Sequence, residues 1–381
     1  MNLESRINSL NENFFFQEFT YSRNTFKRAD GLEIEIADSI IFLDDVSFVF
    51  QFKERNAPEK TTQKKEQKWF EKKVLRLATK QIRDTVRYIT DYDEIVLSNN
   101  RGHSINIISE QISNPCKIVI HQSSEFLPDA QARIKFHISS SVGTIHILQA
   151  HDYYGLVNYL ITPSELYAYF EFRTRLINQY QTLIHSISEP ALLGQYFLQD
   201  NVSPPSAQFT QVLAQLNKEV ESWDMTGIIK LFSARIVGEQ APTDYYYILK
   251  EIAKLMRNEL REFKNRFMRS WEDAKENKQV LPYRFYIPRT GCSFLFIPLQ
   301  SSQHIDSQNY LIDLTHANHY DMKSAKSIGV SFISLEPDWQ DIQWCYIKFE
   351  WKYDREFETH LNKYYPFRKT STRSISRYSI E

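Results

Sequence analysis

Glycine is scarce in this 381-residue chain, which contains 9. No pair is spaced as a phosphate-cradling P-loop or a dinucleotide-binding turn, so nucleotide triphosphates are not expected as substrates. A Gly-x-Ser-x-Gly elbow is also missing, which removes the commonest serine-hydrolase arrangement. Cysteine is scarcer still. Cys116, Cys292 and Cys345 lie far apart with no CxxC pair, which argues against a disulfide framework and against a zinc site. No apolar run approaches the roughly 20 residues of a membrane span. The opening Met-Asn-Leu-Glu-Ser-Arg lacks the basic and apolar segments of a secretory signal. A cytoplasmic protein without a membrane partner is therefore expected. No internal repeat is visible, and a net charge of −1 does not mark the whole chain as a polyanion binder. Present in excess are aromatic residues, at 14% with 26 Phe and 22 Tyr. That content, with this length, predicts two or three well-packed domains.

Chemistry concentrates near the start. Residues Glu35 to Leu43 read as one strand, Asp44-Asp45 as a tight turn, and Val46 to Lys53 as the returning strand. With that turn Leu43 faces Val46, and Asp38 faces Gln51. Cross-strand partners have β-carbons about 5 Å apart, and Lys53 lies two residues beyond Gln51 on the same face, within diagonal reach of Asp38. The opposite face, Val46, Phe48, Phe50 and Phe52, is core. Such a corner suits a hard divalent cation: Asp38 offers a carboxylate, Gln51 an amide oxygen and Phe52 its backbone carbonyl. Lys53 would orient or activate water and steady charge on a phosphate.

Asp38 followed thirteen residues later by Gln51-x-Lys53 resembles the PD-(D/E)xK, or restriction-endonuclease-like, nuclease superfamily, in its Gln-x-Lys variant, as in Mrr-like enzymes. The resemblance implies Mg2+- or Mn2+-dependent hydrolysis of DNA, with RNA left open. Asp38 and Gln51 become metal ligands and Lys53 the catalytic lysine. It further implies a homodimer for cutting both strands and a role in restriction or phage defence. Ala37 stands where the motif has Pro, and Gln51 removes one anionic charge. Glu18, on a helix read at Asn11 to Tyr21, and Glu35 are the two acids expected to compensate. Glu35 alternates to the face opposite Asp38. The alternative is a nuclease-fold module that has lost catalysis and binds nucleic acid or a protein partner.

From Lys53 to Arg87 there are twelve Lys and Arg against five Asp and Glu. Lys64, Lys65, Lys68 and Lys72 in this stretch are candidates for phosphate contact, although a charge run also suits a solvated helix face. Asn56 to Lys68 reads as a loop. Val74, Ala78, Ile82, Val86 and Ile89 then recur at helical spacing from Trp69 to Tyr92. Gln81 flanks that stripe, and by the resemblance it could reach toward the site.

Further strands are expected at Glu94 to Leu97, Cys116 to His121, Ile134 to Ser139 and Gly143 to Leu148, then helices at Asp152 to Asn158 and Pro163 to Ile184. The predicted class is thus an α/β, restriction-endonuclease-like mixed sheet flanked by helices over 1–185. A helical region (186–280), a β-rich α+β region (281–365) and a mobile basic tail (366–381) follow. One helix is expected from Asp244 to Asn277, and strands at Tyr283 to Ile287, Ser293 to Leu299, Tyr310 to Leu314, Ile328 to Leu335 and Trp344 to Trp351. The histidines of His316-Ala-Asn-His319 could bind a metal on a helix with Asp313 and Asp321, but they read better as a polar turn between strands.

Overall fold

The strand pair expected near the start of the chain lies inside a six-stranded mixed sheet in a computed structural model. The structure describes residues 1–368 except 29, 57–60, 108–111, 113, 199–201, 217–223, 233–235, 237–244 and 337–338. The described residues fall into two units, one ending at 216 and the other beginning at 224. The expected helical region 186–280 is divided between them. Of the expected basic tail, residues 369–381 lie outside the described residues.

In the first unit, helix α1 (Leu3–Phe14) precedes strands β1 (Thr20–Ser22), β2 (Ser39–Leu43) and β3 (Val46–Glu54). Helix α2 (Gln63–Trp69) runs through a π-helical stretch (Phe70–Ala78) into α3 (Thr79–Asp91). Strands β4 (Cys116–Gln122), β5 (Phe136–Ser139) and β6 (Gly143–Gln149) follow, then helices α4 (Ala150–Tyr159), α5 (Pro163–Gln179) and α6 (Glu189–Leu198). The sheet order is β1-β2-β3-β4-β6-β5. β3 pairs parallel with β4 and β4 with β6; the other pairs are antiparallel.

The side chains explain this arrangement. One sheet face carries Phe48 and Phe50, whose rings meet Phe15, Tyr153 and Phe170 at centroid distances of 5.1, 5.8 and 6.4 Å. On the other face Val119, Ile145 and Ile147 pack against Phe70, Val74, Ala78 and Ile82. A parallel partner for β3 requires a crossover, which the α2 to α3 segment supplies.

Several boundaries differ from the sequence reading. Asn2 caps α1, accepting the Ser5 N–H at 2.9 Å, and Phe16 sits in the left-handed region at φ 66°, so the helix ends before Glu18 and Thr20–Ser22 is strand. β2 begins only at Ser39. Glu33–Glu35 pairs instead with Thr25–Lys27, and Ile36 and Ala37, both buried, carry the chain between the two sheets. Apolar alternation continued through this change of direction and hid it. Asp44 adopts φ 60° while Asp45 is not in the left-handed region, which excludes a type I′ turn. Helix α2 starts within the expected loop because Thr62 caps it.

The second unit contains helices α7 (Tyr245–Ala253) and α8 (Arg257–Lys275), strands β7 (Tyr283–Ile287) and β8 (Cys292–Leu299), and helix α9 (Ser307–Asp321). Strands β9 (Lys326–Glu336) and β10 (Trp339–Lys348) and helix α10 (Arg355–Lys363) complete it. Its four strands lie in the order β7-β8-β9-β10.

The single helix expected from Asp244 is broken at Lys254–Met256. The Glu259 carboxylate accepts the Met256 N–H at 2.7 Å, and Arg289 Nη2 holds the Lys254 carbonyl at 2.6 Å. The strand expected at Tyr310 to Leu314, and the polar turn around His316 and His319, are both overturned by α9. Its buried face includes Thr315, Asn318 and His319, so polar residues mask the helical period. Asn318 Nδ2 donates to Ser293 Oγ at 3.1 Å and Ser327 Oγ at 3.2 Å. Gly329 lets the helix approach: a β-carbon there would lie 1.9 Å from Thr315 Oγ1. Phe294 and Phe296 pack on Phe263, so these sheet aromatics fill core. Among the described residues, no helix is long and apolar enough to cross a membrane.

Candidate functional site

The ladder of β2 and β3 pairs Leu43 with Val46 and Ser39 with Phe50, the register read from the sequence. Asp38 stands one residue before the ladder begins. Freed from strand geometry, its carboxylate turns to the end of β3, where Oδ2 accepts the Phe52 backbone N–H at 2.5 Å. Lys53 reaches into the same corner. Its Nζ donates to Gln51 Oε1 at 3.2 Å and to the Phe52 carbonyl at 2.9 Å, and lies 3.6 Å from Asp38 Oδ2. The three oxygens expected as metal ligands thus surround one ammonium nitrogen.

The corner is enclosed. Gln51 is 2% exposed, and the Asp38 and Lys53 side chains 13% and 14%. Burial pushes the Asp38 carboxyl above its usual range, against the pull of Lys53 and the Phe52 N–H, and the charge of Glu4 pushes the same way. Glu35 is raised by burial first, with Asp38 and Glu4 adding. Glu4, in the first turn of α1, carries only a general signal in the sequence, an acid in the first turn after an Asn N-cap. It pairs with Arg23 Nε at 2.8 Å.

Glu18 takes a different place. It is buried in the turn after α1, with its carboxylate 3.5 Å from Arg101 Nε, and it is Glu4 rather than Glu18 whose charge registers at Asp38.

Helix α3 closes one side. Thr85 Oγ1 donates to the Ile36 carbonyl, two residues before Asp38. Gln81, one turn earlier on α3, has a buried Oε1 with no hydrogen-bond partner among the described residues. Arg55 Nε donates to both oxygens of the fully buried Glu66, at 3.1 and 3.2 Å, tying α2 to the strand end just past Lys53. Burial opposes the Glu66 charge, but hydrogen bonds from Thr61, Ser124 and Arg55 outweigh it and hold the carboxyl below its ordinary range. Lys64, Lys65, Lys68 and Lys72 are exposed on this helical segment, and none forms an ion pair among the described residues.

His121 is one of five histidines scattered through the strand region, with His103, His137, His146 and His151, and from the sequence it reads as a hydrogen-bonded structural residue. It is the parallel-strand partner of Lys53. It is buried against the Phe70 ring at 5.1 Å, and both ring nitrogens lack a hydrogen-bond partner among the described residues. Burial, with His151 nearby, pushes its pKa down to about 3, so the imidazole is neutral.

Three hard oxygens around a cation fit a magnesium-type ion, which takes one or two carboxylates and keeps several waters. Asp38, Gln51 and the Phe52 carbonyl are the residues that would hold it. Among the described residues there is no cluster of three or more His, Cys, Asp and Glu side chains suited to a metal, so water would complete the shell.

The raised carboxyls give a pH signature. A group whose folded pKa lies above its unfolded value binds its proton more tightly in the folded state, so the stability it contributes at low pH is lost as pH rises through the folded value. Without divalent cations, the wild-type Tm should therefore fall relative to that of Asp38→Asn as pH is raised above about 4, the ordinary Asp value. Added MgCl2 should narrow the gap. Parallel Tm curves for the two proteins would contradict the raised Asp38.

Comparison with protein-family models, curated proteins and solved structures finds no match to this chain.

Proposed function

We propose that the first unit is a metal-dependent nuclease of the PD-(D/E)xK type, in its Gln-x-Lys form, acting on DNA phosphodiester bonds. The observation that carries this reading is the gathering of Asp38, Gln51 and the Phe52 carbonyl around Lys53 Nζ. The order of elements supports it: a helix, three antiparallel strands, a helical crossover, and a fourth strand parallel to the lysine strand. That order suits the restriction-endonuclease-like core.

Magnesium, when bound, supplies Lewis-acid polarisation of a phosphoryl oxygen. The chain supplies the rest. Lys53 carries a proton and a positive charge at the place where negative charge grows on the phosphate. Asp38 Oδ2 and the Phe52 N–H hold the corner's shape, and the Arg55–Glu66 pair fixes the helix beside it. The exposed lysines of α2 and the π-helical stretch would take flanking phosphates.

One observation favours the alternative of a binding module without catalysis: the ammonium itself fills the corner, beside a single directly placed carboxylate. A DNA-cutting homodimer in restriction or phage defence is the wider form of the proposal.

The test is incubation of the purified protein with plasmid, linear duplex and single-stranded RNA, with and without Mg2+ or Mn2+, beside Asp38→Ala. Metal-dependent cleavage of DNA that Asp38→Ala loses is the expected result. Binding without cleavage would move the assignment to the inactive module, and equal cleavage by the variant would remove Asp38 from the site.

A further inference from the structure

His316, one of the two motif histidines that the proposed nuclease does not use, lines a cavity in the second unit, of about 740 Å³, a size within the range of small-molecule sites. Three elements wall it. Helix α9 contributes Asp313, His316 and Tyr320, which share one face at helical spacing. The segment after β10 contributes Phe349, Glu350 and Tyr353, α10 contributes Phe357 and His360, and Tyr364 follows at its C-terminal cap.

Two features define what fits. First, the walls are aromatic and still open to solvent: Phe349, Tyr353 and Tyr364 are 46%, 64% and 58% exposed, although Phe349 is backed by His319 at 4.0 Å and Tyr364 by His360 at 5.0 Å. Second, the fixed charge is negative. Among the described lining residues, Asp313, Glu350 and Asp354 stand with one lysine, Lys352. Asp354 is committed to capping α10, where its Oδ1 accepts the Glu356 and Phe357 N–H groups at 2.8 and 2.9 Å. The Asp313 and Glu350 carboxylates take no ion pair among the described residues.

Rings beside carboxylates form the surface that attracts organic cations, whose charge interacts with the π face while their methyl or methylene groups leave water. One ring of this cavity already attracts an ammonium group of the chain itself: Lys363 Nζ lies 4.7 Å from the Tyr364 centroid. We infer that this cavity binds an alkylammonium cation, with Asp313 and Glu350 as counter-charges and the Phe349, Tyr353 and Tyr364 rings as its aromatic wall. The inference does not depend on the nuclease proposal.

Calorimetric titration of the full chain with choline, and with its neutral tert-butyl isostere, tests it. Choline should bind saturably and at least about fivefold more tightly than the isostere, the margin a cation–π contact supplies. Tyr353→Ala and Glu350→Gln, both at exposed positions, should each weaken choline by a similar factor with unchanged circular dichroism. Parallel titrations with spermidine and with a trimethyllysine peptide identify the source, the tighter of the two assigning the cavity to a free polyamine or to a protein side chain. Equal affinity for the isostere, variants that bind like the wild type, or no saturation by any of these cations would overturn the inference.

Discussion

Lys53→Met in the proposed nuclease is expected to lower the rate of phosphodiester cleavage by about 10²–10⁴-fold while tightening Mg2+ binding several-fold. The two effects have one cause. Lys53 Nζ lies 2.9 to 3.6 Å from the three oxygens that would hold the metal, so ammonium and divalent cation compete for one set of lone pairs and repel each other at short range. Methionine keeps most of the length of the side chain and discards the charge, which would leave the oxygens to the metal alone and remove the group proposed to steady the phosphate. Cleavage kinetics on duplex DNA and calorimetric Mg2+ titration measure the two sides separately. A variant that cleaves like the wild type would eliminate Lys53 as a catalytic group. One that loses cleavage and metal binding together would show that the ammonium builds the corner instead of competing for it.

Glu189→Ala should destabilise the first unit by about 3–5 kcal/mol, a large part of the roughly 5–15 kcal/mol that holds a typical domain folded. Glu189 lies in the interior at 1% exposure, with Arg173 at 0% and Lys135 at 8%. Arg173 Nε donates to its Oε1 at 2.8 Å, Lys135 Nζ to its Oε2 at 3.1 Å, and the Tyr169 hydroxyl to Oε1 at 2.5 Å. Alanine strands two buried cations. His146 offers no relief, because burial and the adjacent Arg173 keep it neutral. Urea denaturation followed by circular dichroism measures the loss, and a change below about 1 kcal/mol would mean that water reaches the cations.

The same cluster has a pH dependence opposite to that of Asp38. Burial works against the Glu189 charge, but Arg173 and Lys135 outweigh it and bring the carboxyl to about 2. Its contribution is therefore present above the ordinary Glu range, near 4.3, and is lost as pH falls toward 2.

The hairpin register was legible because apolar alternation and a two-residue turn fix it together. Residues 36–38 were not, because Ile36 and Ala37 are as buried in the crossing segment as strand residues are, and burial is what alternation reports. Glu4 was hidden by its distance in sequence: it reaches Asp38 only because α1 docks at the end of β3, where the Leu3 N–H binds Glu54 Oε2 at 3.0 Å. Helix α9 was misread for the reverse reason. Its buried Ser307, Thr315, Asn318 and His319 face a sheet rich in serine, so the core there is held by hydroxyl and amide hydrogen bonds, and no hydrophobic stripe announces the helix.

The parallel pairing of β3 with β4 also bears on the order in which the chain acquires its shape during synthesis. Asp38, Gln51 and Lys53 are all present once residue 54 has emerged, and the hairpin that joins them is local. The far edge of β3, though, stays without a partner until β4 follows, 62 residues later by the numbering of Glu54 and Cys116. At roughly 5–20 residues per second this amounts to several seconds in which a nine-residue strand bearing Phe48, Phe50 and Phe52 presents an open edge to other nascent chains. The charge-rich α2 to α3 segment is translated within that interval, and its lysines keep this stretch of nascent chain solvated until the sheet closes.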